Sequence, residues 1–307
     1  MLKEFLKQHG EYHDDKTFKE LTTIKMGGEI AHFVMPDNLD DLKIIISYLK
    51  TNRILFKVIG NGSNLLCGES KYEGVVISLK KLNKYEINDD EVYAEAGVLV
   101  PALASTLAKQ GYSCLEFASG IPGSIGGLVY MNAGAYKSCM ADVIKEVLVL
   151  RDDQLVWLEN YELDFSYRRS IFHDHPRWLV IAAKLKLEKK DPNEIEELMK
   201  DRLRRRKETQ PLDMPSLGSC FRNPENNFAW KLIDSLGYRG YNHNGVLVSE
   251  KHSNFIVNEN NGTAKDYLDI VYEIQDKVKE KYITPIIINE KKTLRIKIIF
   301  LFLSKRV

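Results

Sequence analysis

Three glycine-rich segments are the places where this chain could bring its backbone against a ligand. The first is Gly60-Asn61-Gly62-Ser63-Asn64. It follows the run Arg53 to Ile59, whose Ile, Leu, Phe and Val content predicts a strand. Glycine admits positive φ and close approach, and successive amide N–H groups in such a turn form a concave nest for phosphate. Ser63 and Asn64 add side-chain donors. Leu65 stands where a dinucleotide fingerprint needs its third glycine, and no Walker A sequence occurs. A plain β-turn has the same composition. The second segment, Gly120-Ile121-Pro122-Gly123-Ser124-Ile125-Gly126-Gly127, runs on to Met131-Asn132-Ala133-Gly134-Ala135-Tyr136. It suits an open backbone laid against an extended ligand, or a tight crossover. The third, Gly218-Ser219-Cys220-Phe221-Arg222-Asn223-Pro224, sets a serine near a basic residue. That serine could donate a proton, touch a phosphate or merely turn the chain. The first two loops imply a dinucleotide or nucleotide-sugar ligand without saying which.

The elements that must position these loops alternate between strand and helix. Gly74–Leu79, Val92–Ala96, Val143–Leu150 and Trp178–Leu187 are Val- and Ile-rich and read as strands. Leu39, Leu42, Ile45, Ile46 and Leu49 repeat at helical spacing. Asp191 caps a second helix with Pro192 at its first position, and Ile195, Leu198, Met199 and Leu203 are predicted to share a face. Thr263 caps a third, with the stripe Tyr267, Val271, Ile274 and Val278. The pattern predicts an α+β protein. At 307 residues and ~150 residues per domain, about two domains are expected, with a boundary near 192.

Composition narrows the function classes. With 44 basic and 43 acidic side chains, net charge favours neither nucleic acid nor a membrane surface. The basic run Arg202–Lys207 follows Glu194, Glu196, Glu197 and Asp201, an order that suits a solvated helix and its dipole. The apolar run Ile298–Leu303 is far short of the ~20 residues a bilayer demands. Met1–Gly10 has no signal-peptide core. Cys67, Cys114, Cys139 and Cys220 are widely spaced, which suggests reduced thiols and a cytoplasmic protein. His173-x-His175 supplies two metal ligands at best, so no metal site is expected.

Six segments in order carry a family resemblance: Leu21–Gly28, Gly60–Leu66, Leu115 through Tyr136, Phe165–Ser170 (Phe-Ser-Tyr-Arg-Arg-Ser), Gly218–Pro224 and Val248–Asn258. Together they resemble the bacterial UDP-N-acetylenolpyruvoylglucosamine reductases, in their shorter form. The resemblance implies an FAD-binding region of the PCMH or vanillyl-alcohol-oxidase-like type over 1–192, in two subdomains. A C-terminal α/β substrate domain over 193–307 follows. It implies noncovalent FAD, since no histidine lies between 33 and 172 to form a link at either flavin loop, and NADPH as co-substrate. The partner is a small UDP-sugar, with no nucleic acid, membrane or obligate protein partner expected.

The resemblance also implies roles. Gly60, Asn61, Gly62, Ser63 and Asn64, then Gly120, Ile121, Gly123, Ser124, Gly126, Gly127, Asn132, Ala133 and Gly134, would hold the flavin. In the family, hydride reaches C3 of the enolpyruvyl group and C2 is protonated. Arg168 matches the cation facing the carboxylate, where a permanent charge lowers the barrier. Ser219 matches the proton donor. Tyr136, Tyr167, Arg222, Arg239 and Lys251 would contact substrate. The family's late glutamate falls at Glu290, although a second alignment puts Arg295 there. Lys137-Ser138 and Asn244-Gly245-Val246 also depart from the family pattern. Two other readings remain: another flavin oxidoreductase of the same fold, and a relative that binds flavin or UDP-sugar without turnover.

Overall fold

The computed structural model describes residues 1–282 and 286–288. They form two compact units, each assembled from three chain segments. The first unit holds 1–14, 32–61 and 74–205, and the second holds 15–31, 62–73 and 206 onward. The position expected as a boundary, residue 192, is the first residue of the helix Pro192–Thr209. The chain leaves the first unit later, near residue 205.

The first unit contains two larger sheets and two short two-stranded ones. One of the larger two is built from β1 (Gly10–His13), β2 (Ile30–Pro36), β3 (Phe56–Ile59) and β4 (Tyr72–Ser78), in the order β1-β2-β4-β3. β3 and β4 run parallel. Helix α1 (Leu39–Thr51) joins β2 to β3, with the Asn38 side chain accepting from the Asp41 amide. Leu42, Ile45, Ile46 and Leu49 are all buried, against Val34, Val75 and Ile77, as their spacing predicts. β3 begins later than the expected Arg53, because Asn52 caps α1 and Arg53 takes a left-handed φ of 55°.

The other sheet has five antiparallel strands: β5 (Tyr85–Asn88), β6 (Glu91–Glu95), β7 (Ile144–Arg151), β8 (Gln154–Glu159) and β9 (Leu179–Lys186). Their order is β8-β7-β9-β6-β5. Helices α2 (Val100–Lys109) and α3 (Ile125–Tyr130) bury Leu103, Leu107, Ile125, Leu128 and Val129 against Val92, Val147 and Ala183. Helix α4 (Pro192–Thr209) starts as expected, with Asp191 accepting from the Asn193 amide at 2.7 Å. Its predicted apolar face is only half realised. Ile195 is buried, but Leu198 and Leu203 are 42% and 41% exposed. On the same helix Asp201 pairs with Arg204 and Arg205 at 2.7 and 2.8 Å, which ties up part of the basic run.

Among the described residues, the second unit has one antiparallel sheet, a short helix Phe18–Leu21 and two further helices. In chain order the strands and further helices are β10 (Ser216–Ser219), α5 (Ala229–Asp234), β11 (Asn242–His243), β12 (Val246–Val248), β13 (Phe255–Asn258) and α6 (Ala264–Tyr282). The sheet order is β10-β13-β12-β11. The predicted stripe Tyr267, Val271, Ile274 and Val278 packs on Leu217, Val246, Val248 and Ile256. Ile24, Met26 and Leu66 from the two early segments complete that core. Asn258 fastens one of them, donating to the carbonyls of Ile24 and Lys25 at 3.1 and 3.2 Å. Among the described residues no helix is long and apolar enough to cross a membrane.

Candidate functional site

Within the first unit the two flavin-loop candidates meet. β3 delivers Gly60 to the start of α3, where Ser124 occupies the N-cap position in extended conformation. The Ser124 hydroxyl is directed at Gly60 and Gly127, neither of which has a side chain to meet it. Asn61 Nδ2 donates to the Pro122 carbonyl at 2.9 Å. The amides of Ile125 and Gly126 donate to Val98 and Ala96, each at 2.9 Å, which fixes α3 against the end of β6. Ser124 is 3% exposed, and its Oγ has no hydrogen-bond partner among the described residues. A buried hydroxyl left unsatisfied costs about 1–3 kcal/mol, so its retention points to a ligand oxygen. Glycine backbone around an orphan donor fits a diphosphate. Gly60, Asn61, Ser124 and Gly127 are the residues that would hold it. A cavity of about 370 Å³ adjoins Asn61, lined by Lys80, Tyr85, Val98, Leu99 and Thr106 among others.

The first loop is shared out along the chain. Gly60 and Asn61 belong to the first unit, and Gly62, Ser63 and Asn64 to the second. Gly62 has φ +70°, and a β-carbon there would lie 1.9 Å from the Leu21 carbonyl oxygen. Its own carbonyl accepts from the Thr23 amide. Gly62 is therefore glycine for its packing on the Leu21–Thr23 segment.

Arg168 sits at the tip of a narrow turn. Ser166 and Arg169 exchange main-chain hydrogen bonds, each 3.1 Å, and Arg168 itself has φ +59°. Its guanidinium donates to the carbonyls of Gly134 (2.6 Å) and Asn132 (3.5 Å) and lies 5.2 Å from the Tyr167 ring centre. Arg169 differs in kind, since both Asp174 carboxylate oxygens engage it. Tyr136 donates from its hydroxyl to the Arg202 carbonyl on α4 at 2.7 Å, with the Arg202 guanidinium 5.0 Å from its ring centre. The Asn132 amide is likewise engaged, with Ser166 and Ala141.

In the second unit Ser219 ends β10, exposed, directly after Gly218 at φ +73°. Asn254 holds the next residues. Its carbonyl accepts from the Cys220 amide, and its side chain both accepts from and donates to Phe221. Phe221 bridges Ile288, and the Arg222 amide donates to Ile287 at 2.9 Å. Arg239 is committed within its own unit. Its guanidinium engages both oxygens of Asp234 and donates to the Glu250 carbonyl. Lys251 lies 3.9 Å from Asp213 and is half exposed. Burial between Trp230 and Phe255 pushes the His252 pKa down. Glu290 and the competing Arg295 lie outside the described residues.

Sequence reasoning did not single out Asn254 and Asp234, the residues that fix the main chain after Ser219 and the Arg239 fork. It also did not anticipate that His243, Asp266 and Asp269 offer ligand atoms within 4.8 Å of one another. Those carboxylates have structural partners: Thr263 and Asn244 for Asp266, and Lys265 for Asp269. All four cysteines are free, and burial pushes the Cys67 and Cys114 thiols up, away from nucleophilic use.

Comparison with known proteins extends this geometry. A profile for an FAD binding domain matches residues 30–158. A second, described as the C-terminal domain of UDP-N-acetylenolpyruvoylglucosamine reductase, matches residues 210–286. The chain is 42% identical over 282 residues to a UDP-N-acetylenolpyruvoylglucosamine reductase of Caldanaerobacter subterraneus, covering 92% of this chain and 93% of that one. It is 41% identical over 263 residues to the protein of the same name from Bacillus subtilis, covering 85% and 87%. The crystal structure of the Thermus caldophilus enzyme superposes with a TM-score of 0.77 at 32% identity, over 90% of this chain and 97% of that one.

Proposed function

Because the chain belongs to the UDP-N-acetylenolpyruvoylglucosamine reductase family, we propose that it reduces UDP-N-acetylglucosamine enolpyruvate to UDP-N-acetylmuramate at the expense of NADPH. It is a flavin-dependent oxidoreductase of peptidoglycan precursor synthesis. The observation that carries the reading is the buried, partnerless Ser124 hydroxyl where both glycine loops meet. The cavity beside Asn61 would take a further part of the dinucleotide.

When bound, FAD would be held by Gly60, Asn61, Ser124 and Gly127 and would supply the hydride chemistry. The protein's own residues do the rest. Arg168 would face the substrate carboxylate and stabilise the negative charge that grows as C3 is reduced. The Gly134 and Asn132 carbonyls hold its guanidinium in a fixed position. Ser219 would protonate C2, with Glu290 assisting as acid. The pairing of Phe221 with Ile288, two positions before Glu290, supports keeping Glu290 in that role. Tyr136, Tyr167, Arg222, Arg239 and Lys251 would contact the UDP-sugar, and of these the Asp234-bound Arg239 has least freedom to do so. Residues 1–192 would serve the flavin and 193–307 the substrate. The reaction needs small molecules only, and a cytoplasmic setting supplies them.

The test is an anaerobic stopped-flow run on flavin-loaded protein. NADPH should bleach the flavin absorbance, and UDP-N-acetylglucosamine enolpyruvate should then restore it with formation of UDP-N-acetylmuramate. Reduction without substrate-driven return of colour would leave a flavin binder without this activity. Absence of bound flavin after reconstitution would defeat the reading of both glycine loops.

A further inference from the structure

We propose that Asn132 is a positioning residue that holds Arg168 in place for the reaction. The proposal rests on the reading of Arg168 as the carboxylate-facing cation, and it goes beyond that reading by naming what fixes the cation. Asn132 is 4% exposed and has φ +39°, a left-handed backbone that a non-glycine residue rarely adopts. Its side chain works in two directions. Nδ2 donates to the Ser166 carbonyl at 2.9 Å, at the base of the turn that carries Arg168. Oδ1 accepts from the Ala141 amide at 3.0 Å. Its own carbonyl accepts from the Arg168 guanidinium, as does that of Gly134 two positions on.

One buried side chain thus sets both halves of the arrangement. It anchors the turn from which Arg168 projects, and it shapes the loop whose carbonyls orient the guanidinium. A surface loop that only had to turn would need neither bond. Backbone strain of this kind costs about 1–3 kcal/mol and persists only where surrounding contacts enforce it. Here the enforcing contacts are the two amide hydrogen bonds.

The experiment is a double-mutant cycle read on the substrate half-reaction. Flavin bound to each variant is reduced with dithionite, so NADPH is not needed, and mixed with UDP-N-acetylglucosamine enolpyruvate. The rate at which flavin absorbance returns is recorded. Asn132→Gly tolerates the backbone conformation and deletes both side-chain bonds. Asn132→Asp keeps the acceptor for Ala141 and sets a carboxylate oxygen against the Ser166 carbonyl. Each should slow the return about tenfold to a hundredfold, the usual effect of misplacing a reacting group by an ångström. In an Arg168→Ala background the same substitutions should slow it by less than about twofold, because positioning has nothing left to act on. Equal slowing in both backgrounds would mean a general structural role and overturn the proposal. Loss of bound flavin from both Asn132 variants would make Asn132 a flavin contact and also overturn it. An unchanged rate in Arg168→Ala alone would remove the premise, and the proposal with it. Wild-type protein that never reoxidises would instead count against the proposed reaction.

Discussion

The Ser124 oxygen and the Gly60 α-carbon face each other so closely that a β-carbon at position 60 would stand 3.0 Å from that oxygen. Neither residue explains the other by packing alone. A buried hydroxyl without a partner is a cost to the protein by itself and a benefit only to a ligand. The two effects therefore separate by sign.

Ser124→Ala should leave the flavin-free protein as stable as wild type or more so, by up to about 1 kcal/mol. The same change should weaken FAD binding about tenfold, the value of one hydrogen bond to a charged group. Thermal melts of the flavin-free form and a fluorescence titration with FAD measure the two quantities. A parallel loss in both would make Ser124 an ordinary structural residue.

Gly62→Ala should destabilise the fold by more than about 1 kcal/mol, since the site combines positive φ with a backbone clash. The clash is with the Leu21 carbonyl. The shift shows in the urea midpoint of the flavin-free protein. An unchanged midpoint would place the demand for glycine at the ligand.

Ser219→Ala should leave flavin reduction by NADPH at its wild-type rate and cut product formation at least about a hundredfold, as loss of a general acid does. Arg168→Lys should also be damaging, because a point charge does not replace a planar fork. Single-turnover absorbance traces separate the two half-reactions. Wild-type turnover in Ser219→Ala would take the proton from some other group.

Asp266 makes a capping box with Thr263, each side chain accepting from the other's amide. Burial alone would raise the Asp266 carboxyl, but hydrogen bonds from Thr263 and Asn244 outweigh it and bring it from 3.8 down to about 2. A carboxyl whose pKa falls on folding adds stability that is complete above its unfolded value and is lost as pH falls through the folded one. Asp266→Ala should cost about 1 kcal/mol near neutral pH. The gap to wild type should close as pH drops from 3.8 to about 2. Melting curves across that range check it, and a gap independent of pH would assign the effect to something other than the ionised carboxyl.

Much of this was legible in the residues. The α1 and α6 stripes, the Asp191 and Thr263 caps and the Val-rich strands follow from periodicity and local chemistry, which need no tertiary knowledge. Two glycine loops implied a dinucleotide or nucleotide-sugar ligand, but the approach of Gly60 to Ser124 is visible only in the structure. What stayed hidden depends on partners far away in sequence. Leu198 and Leu203 fit a helical face by spacing, yet they remain 42% and 41% exposed, and spacing cannot report that. The strands Tyr85–Asn88 and Asn242–His243 are too short to show a period. Asn132 looked like one more polar residue in a flavin loop, because its bonds reach Ser166 and Ala141. Arg239 looked available until Asp234 and Glu250 closed on it.

The core of the second unit draws Ile24, Met26 and Leu66 from segments that leave the ribosome long before Leu217 or Val271 exist. Those early side chains cannot reach these native partners until the distant strands are synthesised. Cutting the gene at residue 206 would therefore not yield a self-sufficient C-terminal half. Such a fragment would lack three of its own core residues and the peptide that Asn258 grips, and adding the segments 15–31 and 62–73 back in trans is what it would take to restore it.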